Sequence, residues 1–425
     1  MGIIRKQTIA GTFFSYLGVI LGFITTALLF PKYLTTDQVG LLKLMVSFTM
    51  IFAQFGSFGF NNVTTRMFSY FRDYEKKHHG FFLVMMGIAL VGFVFVLLVY
   101  QLMKGYLIQE YSEQSSLFVE YINWIIPLIF FQLFFTIMDT YYKVLYNAIF
   151  GTILKEFVQR IFIFLSIGLL IIDVINFHQF VFAYVASLSL PTVVLLVKLI
   201  YEKQVSLSWD PSFYRRRLVR TLANLSLYGI LMSYTGILVL HIDTIMINHF
   251  NGLSDTGVYS ITFFFGTLIL IPARPLSKIA GVILADAFRK KNMKEVETIY
   301  SKSIINQALI AMLVFVGIWA NIDNIFRILP PEYLPGKYVI LFISLANLFE
   351  MFTGVSHLLI FNSRYYRMMT VFLLMFVFLI IVSNLYFIPI YGIVGAALAS
   401  AISRFIYSLV RVGYIYKKFK FVPFD

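Results

Sequence analysis

The chain has 425 residues, of which 60% are hydrophobic and only 13% carry a charge, and its mean hydropathy is +0.85. A soluble domain has about 45–50% apolar and roughly 25% charged residues, because its surface must face water. A net charge of +14 would suggest nucleic acid binding in a soluble protein, but this composition excludes a soluble fold of this size. The absence of cysteine excludes disulfides and thiolate chemistry. We therefore expect an integral membrane protein.

Apolar segments long enough to cross a bilayer follow one another along the whole chain. The first begins after Arg5 and Lys6 and is longer than the core of a signal peptide, so we interpret it as a retained signal-anchor helix. A helix needs about 20 apolar residues to cross the hydrocarbon core. On this basis we predict twelve spans, near residues 8–30, 41–67, 80–103, 121–142, 157–176, 179–200, 224–248, 257–283, 303–322, 338–361, 368–388 and 391–413.

The basic residues are concentrated on one side of these predicted spans. The outer connections carry isolated cations, whereas the inner connections hold clusters at 72–79, 198–220, 288–294, 364–367 and 417–420. An excess of Lys and Arg in short loops marks the cytoplasmic side of a membrane protein. We therefore predict that both termini are cytoplasmic, and that the positive charge reflects topology and not nucleic acid.

The two halves of the chain resemble each other. The segment PKYLTTDQVGLLKL (31–44) resembles FNGLSDTGVYSITF (250–263), and Gly40 and Gly257 lie 217 residues apart. Since each half has six predicted spans, both enter the membrane in the same direction, which predicts a pseudo-twofold axis along the membrane normal. The fold class we predict is all-α integral membrane, with an N-lobe (1–201), a cytoplasmic linker (202–222) and a C-lobe (223–425).

Three segments carry a resemblance to a known family. They are LFPKYLTTDQVGLLKL (29–44), HIDTIMINHFNGLSDTGVYS (241–260) and FIPIYGIVGAALASAISRF (387–405). With them the chain resembles the polysaccharide and O-antigen flippases of the multidrug/oligosaccharidyl-lipid/polysaccharide exporter (MOP) superfamily. The likeness extends over nearly the whole chain. The peptidoglycan-precursor branch has an arginine in its first helix, whereas the first span here is uncharged, so we do not favour that branch.

The resemblance implies two six-helix lobes that alternate between inward and outward openings. The implied cargo is an undecaprenyl-pyrophosphate-linked oligosaccharide, moved from the inner to the outer leaflet for surface polysaccharide synthesis. We therefore expect a multi-pass flippase of a bacterial inner membrane. Its expected partners are a lipid-pyrophosphate-linked glycan, membrane lipids and a proton or sodium ion.

Two other function classes are alternatives to a flippase. A cation-coupled multidrug or small-solute exporter is the alternative on the same scaffold, although arginines deep in the membrane disfavour cationic drugs. An enzyme is disfavoured because the sequence has no Gly-rich phosphate loop, no His-Glu-x-x-His pattern and no serine elbow. The longest outer connection, at 104–120, is also too short for a catalytic subdomain. We expect no catalytic residues, metal site or cofactor.

Charges deep inside the predicted spans are candidate functional residues, because an ionisable group is costly in lipid. Glu350 lies about 18 Å from the outer end of its span, and Arg274 and Arg404 lie roughly 14 Å from the inner ends of theirs. Guanidinium groups match phosphate oxygens, so both arginines are candidates for binding the pyrophosphate. The other interpretation is a structural ion pair with Glu350. Glu350 is also a candidate protonation site for ion coupling.

Three further residues complete the candidate set. Asp243 is either a cavity-lining or cation-coupling carboxylate, or it makes a local helix-end contact with His241 or a neighbouring backbone group. Arg66 is a candidate substrate contact, although its position near an inner end also fits snorkelling to the interface. Asn62 is predicted to make an interhelical hydrogen bond or to contact sugar.

Overall fold

The computed structural model describes residues 2–147, 149–206 and 208–422, and it leaves the side chains of residues 2–10, 12, 232, 274, 275 and 278 undescribed. Throughout the described ranges the regular structure is helical, with no strand. This confirms the all-α membrane fold that the composition predicts.

The first of two compact units comprises Met1–Leu34 and Leu41–His241. Residues Phe30–Tyr33 extend the first span, and Phe150–Ile153 opens the fifth. The main helices of this part of the chain are α1 (Gly2–Phe23), α2 (Thr36–Gly56), α3 (Phe60–Phe71), α4 (Phe81–Tyr111), α5 (Ile125–Val144), α6 (Gln159–Ile171), α7 (Phe177–Tyr201) and α8 (Arg216–Asn251).

The second unit comprises Thr35–Gly40 and Ile242–Asp425. It therefore includes the first turn of α2 and the end of α8. Its other main helices are α9 (Leu253–Thr267), α10 (Ala273–Arg289), α11 (Met293–Ala320), α12 (Lys337–Met351), α13 (Ser356–Asn362) and α14 (Met368–Phe419).

The division between the units falls within α8, after His241, whereas the sequence predicted a linker at 202–222. The reason lies in how the first half of α8 packs. The chain breaks its helix between α2 and α3 at Gly59, where φ is +67°, and α8 packs closely against this break. Ser226 of α8 donates a hydrogen bond to the carbonyl oxygen of Phe58. These contacts join residues 216–241 to the first unit.

Ten helices in the described chain are long and apolar enough to cross a membrane. One of them, α14, is two helices that meet at Gly392, where φ is +57° and ψ is −136°. The hydroxyl oxygens of Ser383 and Ser403 lie 3.0 Å apart, so the two parts run antiparallel as a hairpin. The helix from Phe150 to Ile171, which corresponds to the fifth predicted span (157–176), contains the charged residues Lys155, Glu156 and Arg160 and is not one of these ten. When α14 is counted as two spans and the helix from Phe150 to Ile171 is added, the described chain has the twelve spans that the sequence predicts.

Candidate functional site

The buried carboxylate of Asp243 is the centre of a polar cluster in the second unit. Its Oδ2 accepts hydrogen bonds from the Tyr259 hydroxyl at 3.0 Å and from the Ser400 hydroxyl at 2.7 Å. Its Oδ1 accepts a hydrogen bond from the Asn384 amide nitrogen, also at 2.7 Å. Asp243 and Asn384 are 5% and 0% exposed. Among the described contacts Asp243 makes no pair with His241, whose Nδ1 lies 3.1 Å from the Ser47 hydroxyl oxygen.

The donors to Asp243 come from separate elements. Tyr259 lies on α9, whereas Asn384 and Ser400 lie on the two arms of the α14 hairpin. All three donors are neutral, and the amide oxygen of Asn384 has no hydrogen-bond partner. In this arrangement two hydroxyl groups and an amide nitrogen donate to the carboxylate, which can itself bind a proton. The same side chains also carry oxygen atoms of the kind that ligate a hard cation once these hydrogen bonds rearrange. The cluster can therefore bind and release a proton or a cation at the Asp243 carboxylate.

Glu350 is paired with Arg411, a residue that the sequence analysis did not single out. Nη2 of Arg411 donates to Oε1 of Glu350 at 2.8 Å and also to the hydroxyl of Thr353. Nη1 donates to the Tyr407 hydroxyl at 3.2 Å. The side chains of Arg411 and Glu350 are 2% and 18% exposed, so the pair is largely desolvated. The predicted structural pair of Glu350 with an arginine exists, but its partner is Arg411 and not Arg404.

Arg404 lies two turns before Arg411 on the same arm of α14. Its guanidinium lies over the Phe376 ring, 5.3 Å from the centroid. It is half-buried, and it is close enough to act electrostatically on both Asp243 and Glu350. Arg404 therefore places a permanent positive charge close to both carboxylates. The side chain of Arg274 lies outside the described residues, although its backbone belongs to α10.

The two candidate residues of the first unit lie one turn apart on α3. The amide nitrogen of Asn62 donates to the Gly229 carbonyl oxygen at 3.2 Å and to the Ser233 hydroxyl at 2.8 Å. Asn62 thus makes the interhelical hydrogen bond that was one of its two predicted roles. The side chain of Arg66 is exposed.

Lys155, in the first unit, is a second intramembrane cation, after Arg411, that was not predicted from the sequence. Nζ of Lys155 donates to the Gln132 amide oxygen at 2.8 Å and lies 5.0 Å from the Phe135 ring centroid. A cavity of about 30 Å³ adjoins it, lined also by Thr49 and Gln159. The Thr49 hydroxyl and the Gln159 amide oxygen have no hydrogen-bond partner. A polar cavity of this size can hold a water molecule that joins these groups.

Both missed cations reflect errors in predicted helix ends. The fifth span was expected to begin at residue 157, so Lys155 appeared to lie outside it, but the helix begins at Phe150. The last span was expected to end at 413, which placed Arg411 near the surface, but α14 continues to Phe419. The separation of Arg404 and Arg411 by seven residues was an available clue, since residues seven apart share a helix face.

Comparisons with known proteins agree with this architecture. No family model matches the chain. An uncharacterized membrane protein of Methanocaldococcus jannaschii is 22% identical over 404 residues, which cover 89% of this chain and 78% of the relative. The structure resembles that of the lipid II flippase MurJ in an inward closed conformation, with a TM-score of 0.76 and 13% identity. That match covers 97% of this chain and 89% of MurJ.

A second solved structure shares the fold. It is the inward-facing conformation of a multidrug resistance MATE family transporter of the MOP superfamily, with a TM-score of 0.72 and 13% identity. The match covers 96% of this chain and 94% of that transporter. Identities this low show a common fold and do not separate a flippase from a drug exporter. The chain therefore has the fold that these two solved structures share, as its sequence resemblance predicted.

Proposed function

We propose that this protein is an alternating-access flippase that moves an undecaprenyl-pyrophosphate-linked oligosaccharide from the inner to the outer leaflet. The observation that carries the proposal is the arrangement of charges on α14. Arg411 already matches the charge of Glu350, and Arg404 adds a second guanidinium deep in the same unit. A guanidinium in the membrane needs an anionic partner or water. A lipid-linked pyrophosphate supplies such an anion.

We assign the pyrophosphate to Arg404 and Arg274, and further contacts with the cargo to Arg66 and Asn62. Arginine binds phosphate oxygens through two parallel N–H groups and keeps its charge at any depth. Arg66 is exposed, which leaves its side chain accessible to a head group. Asn62 already bonds to Gly229 and Ser233, so contact with sugar would replace one of these bonds.

We propose that a proton or sodium ion drives the cycle through Asp243. Three neutral donors hold the carboxylate without cancelling its charge, and they come from three helical segments that a change in protonation or cation occupancy would release or tighten. Glu350 is the second coupling carboxylate that we propose. Its ion pair with Arg411 would have to weaken for Glu350 to take up a cation.

The direction of transport follows from the charge of the loops. We propose that the basic connections face the cytoplasm of the cell membrane, so that cargo made in the cytoplasm enters from that side. The oligosaccharide would then leave at the outer leaflet, where surface polysaccharide is assembled.

The test is a reconstitution of the purified protein in proteoliposomes. A lipid-pyrophosphate oligosaccharide carrying a fluorophore is placed in both leaflets, and its accessibility to an external quencher is followed with and without a proton or sodium gradient. We expect movement that requires the protein and accelerates with one of the gradients. Gradient-driven uptake of a cationic dye with no movement of the lipid would instead identify the exporter alternative and overturn the flippase proposal.

A further inference from the structure

A cavity of about 650 Å³ lies at the basic end of the first unit, lined by loop residues and by the adjoining ends of α3 and α8. It lies between two loops, the one that joins α3 to α4 and the one that joins α7 to α8. Its lining includes the basic side chains of Lys76, Arg215 and Arg217 and the aromatic rings of Tyr70 and Phe213. Pockets that bind small molecules have volumes of about 300–1,000 Å³. This cavity is therefore large enough for an organic ligand.

The two loops are fastened together by His79. Its Nδ1 lies 2.9 Å from Oδ2 of Asp210, and its ring stacks on Phe213 with the centroids 3.8 Å apart and the planes at 11°. The turn that presents His79 is left-handed, because φ is positive at four successive residues, Lys77 to Gly80. Only glycine adopts this conformation without steric cost, so the surrounding contacts must hold the turn in place. The contacts of His79 therefore fix the shape of this wall of the cavity.

The charge of the cavity is positive. Among the described residues that line it, the one carboxylate is Asp210. Both oxygens of Asp210 are engaged, one with His79 and the other with the Ser212 hydroxyl at 2.6 Å. These hydrogen bonds, first that from Ser212, hold the pKa of Asp210 below its usual value. Asp210 therefore bonds to His79 and Ser212, and the described lining offers no further carboxylate to Lys76, Arg215 and Arg217.

The positive-inside rule explains the sign of these loops but not the convergence of their side chains. Arg215 and Arg217 reach the cavity, whereas Arg216 between them does not. In the same way Lys76 lines the cavity and its neighbour Lys77 does not. Three cations from two different loops therefore face the same space.

We propose that this cavity binds a phosphate group, carried either by an anionic phospholipid head group or by a soluble organic phosphate. Arginine forks match phosphate oxygens, and a lysine adds a point charge to the same group. The aromatic rings of Tyr70 and Phe213 offer an apolar surface to the part of the ligand that carries the phosphate. The proposal concerns the loops of the first unit and does not depend on what the protein transports.

Trp209 provides a local reporter for binding. It precedes Asp210, and its indole stacks on Tyr214 with the centroids 4.7 Å apart. The chain has three tryptophans, so Trp124→Phe and Trp319→Phe leave Trp209 alone. The full-length protein is placed in phosphatidylcholine nanodiscs and titrated with inorganic phosphate, and the fluorescence of Trp209 is measured. We expect a saturable change.

The matched variants are K76Q/R217Q, which removes two cations from the cavity, and K77Q/R216Q, which removes two from its flanks. Because K76Q/R217Q removes charge-assisted hydrogen bonds to phosphate, it should weaken phosphate binding at least about tenfold, whereas K77Q/R216Q should change it less than about twofold. The single variant Arg217→Lys keeps the charge but loses the two parallel N–H groups, so it should bind phosphate with an intermediate affinity. It serves as the test if K76Q/R217Q does not fold.

A second titration in nanodiscs that contain phosphatidylglycerol distinguishes the two sources of phosphate. If an anionic lipid head group, which phosphatidylcholine does not supply, is the ligand, phosphate will no longer change the fluorescence, because the cavity is already filled. If a soluble phosphate is the ligand, the two titrations will agree. Equal weakening by both double variants, or no response to phosphate or to phosphatidylglycerol, would overturn the proposal.

Discussion

Gly40 and Gly257 pack backbone to backbone at the crossing of α2 and α9, and the contact is reciprocal. A Cβ atom on Gly40 would overlap the carbonyl oxygen of Leu253 and lie 3.2 Å from the amide nitrogen of Gly257. A Cβ atom on Gly257 would overlap the carbonyl oxygen of Thr36 and lie 3.1 Å from the amide nitrogen of Gly40. The partners Thr36 and Leu253 are separated by 217 residues, as are the two glycines. The internal repeat of the sequence thus places equivalent residues in equivalent contacts.

This packing predicts that Gly40→Ala and Gly257→Ala destabilise the protein. The added methyl group would meet backbone atoms, which cannot rotate away, so the helices would have to separate; overpacking of this kind costs about 1–3 kcal/mol. Gly105→Ala on α4 is the matched control, because a Cβ atom there would meet nothing within 4 Å. The measurement is the thermal midpoint of the purified protein in detergent. Midpoints that are equal for Gly40→Ala and Gly105→Ala would contradict the close contact.

The elements that the sequence predicted well are those encoded by long or repeated patterns. Twelve spans, the break between the last two near Gly392 and the equivalence of Gly40 with Gly257 all depend on apolar length or on spacing. The partner of Glu350 could not be predicted in this way. It depends on where α14 ends and on which of two arginines faces α12, and a sequence pattern specifies neither.

The ion pair of Glu350 with Arg411 makes a prediction about folding. Arg411→Ala leaves a carboxylate buried without its partner, which costs about 3–5 kcal/mol, so the yield of folded protein should fall. A second change, Glu350→Gln, removes the uncompensated charge and should restore much of that yield. Arg404→Ala is the control, since it removes a guanidinium two turns away that does not pair with Glu350. The readout is the monodisperse fraction in size-exclusion chromatography.

The outcome would also separate two roles for Glu350. If Glu350→Gln alone folds normally but abolishes the effect of an ion gradient on transport, the carboxylate takes part in coupling. A normal yield for Arg411→Ala would show that the pair adds no stability.

Substitution of Asp243 should abolish ion coupling without preventing folding. Asp243→Asn keeps the size of the side chain and its carbonyl acceptor but removes the charge, so the bonds from Tyr259 and Ser400 can persist. We expect protein of near-normal abundance whose transport no longer responds to a proton or sodium gradient. Ser400→Ala removes one donor and should shift the gradient dependence without abolishing it. Both variants are measured in the proteoliposome assay, and a wild-type response in Asp243→Asn would exclude this carboxylate as the coupling group.

The orientation of the loops can be tested with single cysteines, because the chain has none of its own. Ser206 lies in the loop before α8, which we predict to be cytoplasmic. Ser112 directly follows the C-terminal end of α4, which we predict to be outside. In intact cells an impermeant maleimide should label Ser112→Cys and spare Ser206→Cys, whereas both should react after lysis. The reverse pattern would show that the basic loops face outwards.

Arg404 and Arg274 make the prediction that decides the cargo. Since each would contribute about 1.5–3 kcal/mol through a charge-assisted bond to phosphate, the loss of either should weaken binding by roughly one to two powers of ten. Arg404→Lys should restore binding only in part, because an ammonium group cannot reproduce the two parallel N–H groups of arginine. Arg404 is half-buried, and its cation–π contact with the buried Phe376 ring contributes about 0.5–2 kcal/mol. Arg404→Ala should therefore keep most of its abundance while flipping of the lipid-linked glycan is lost. Binding of a pyrophosphate-linked glycan to the purified variants and export in cells are the two measurements. If Arg274→Ala and Arg404→Ala are both abundant and both support full export, these arginines do not bind the cargo.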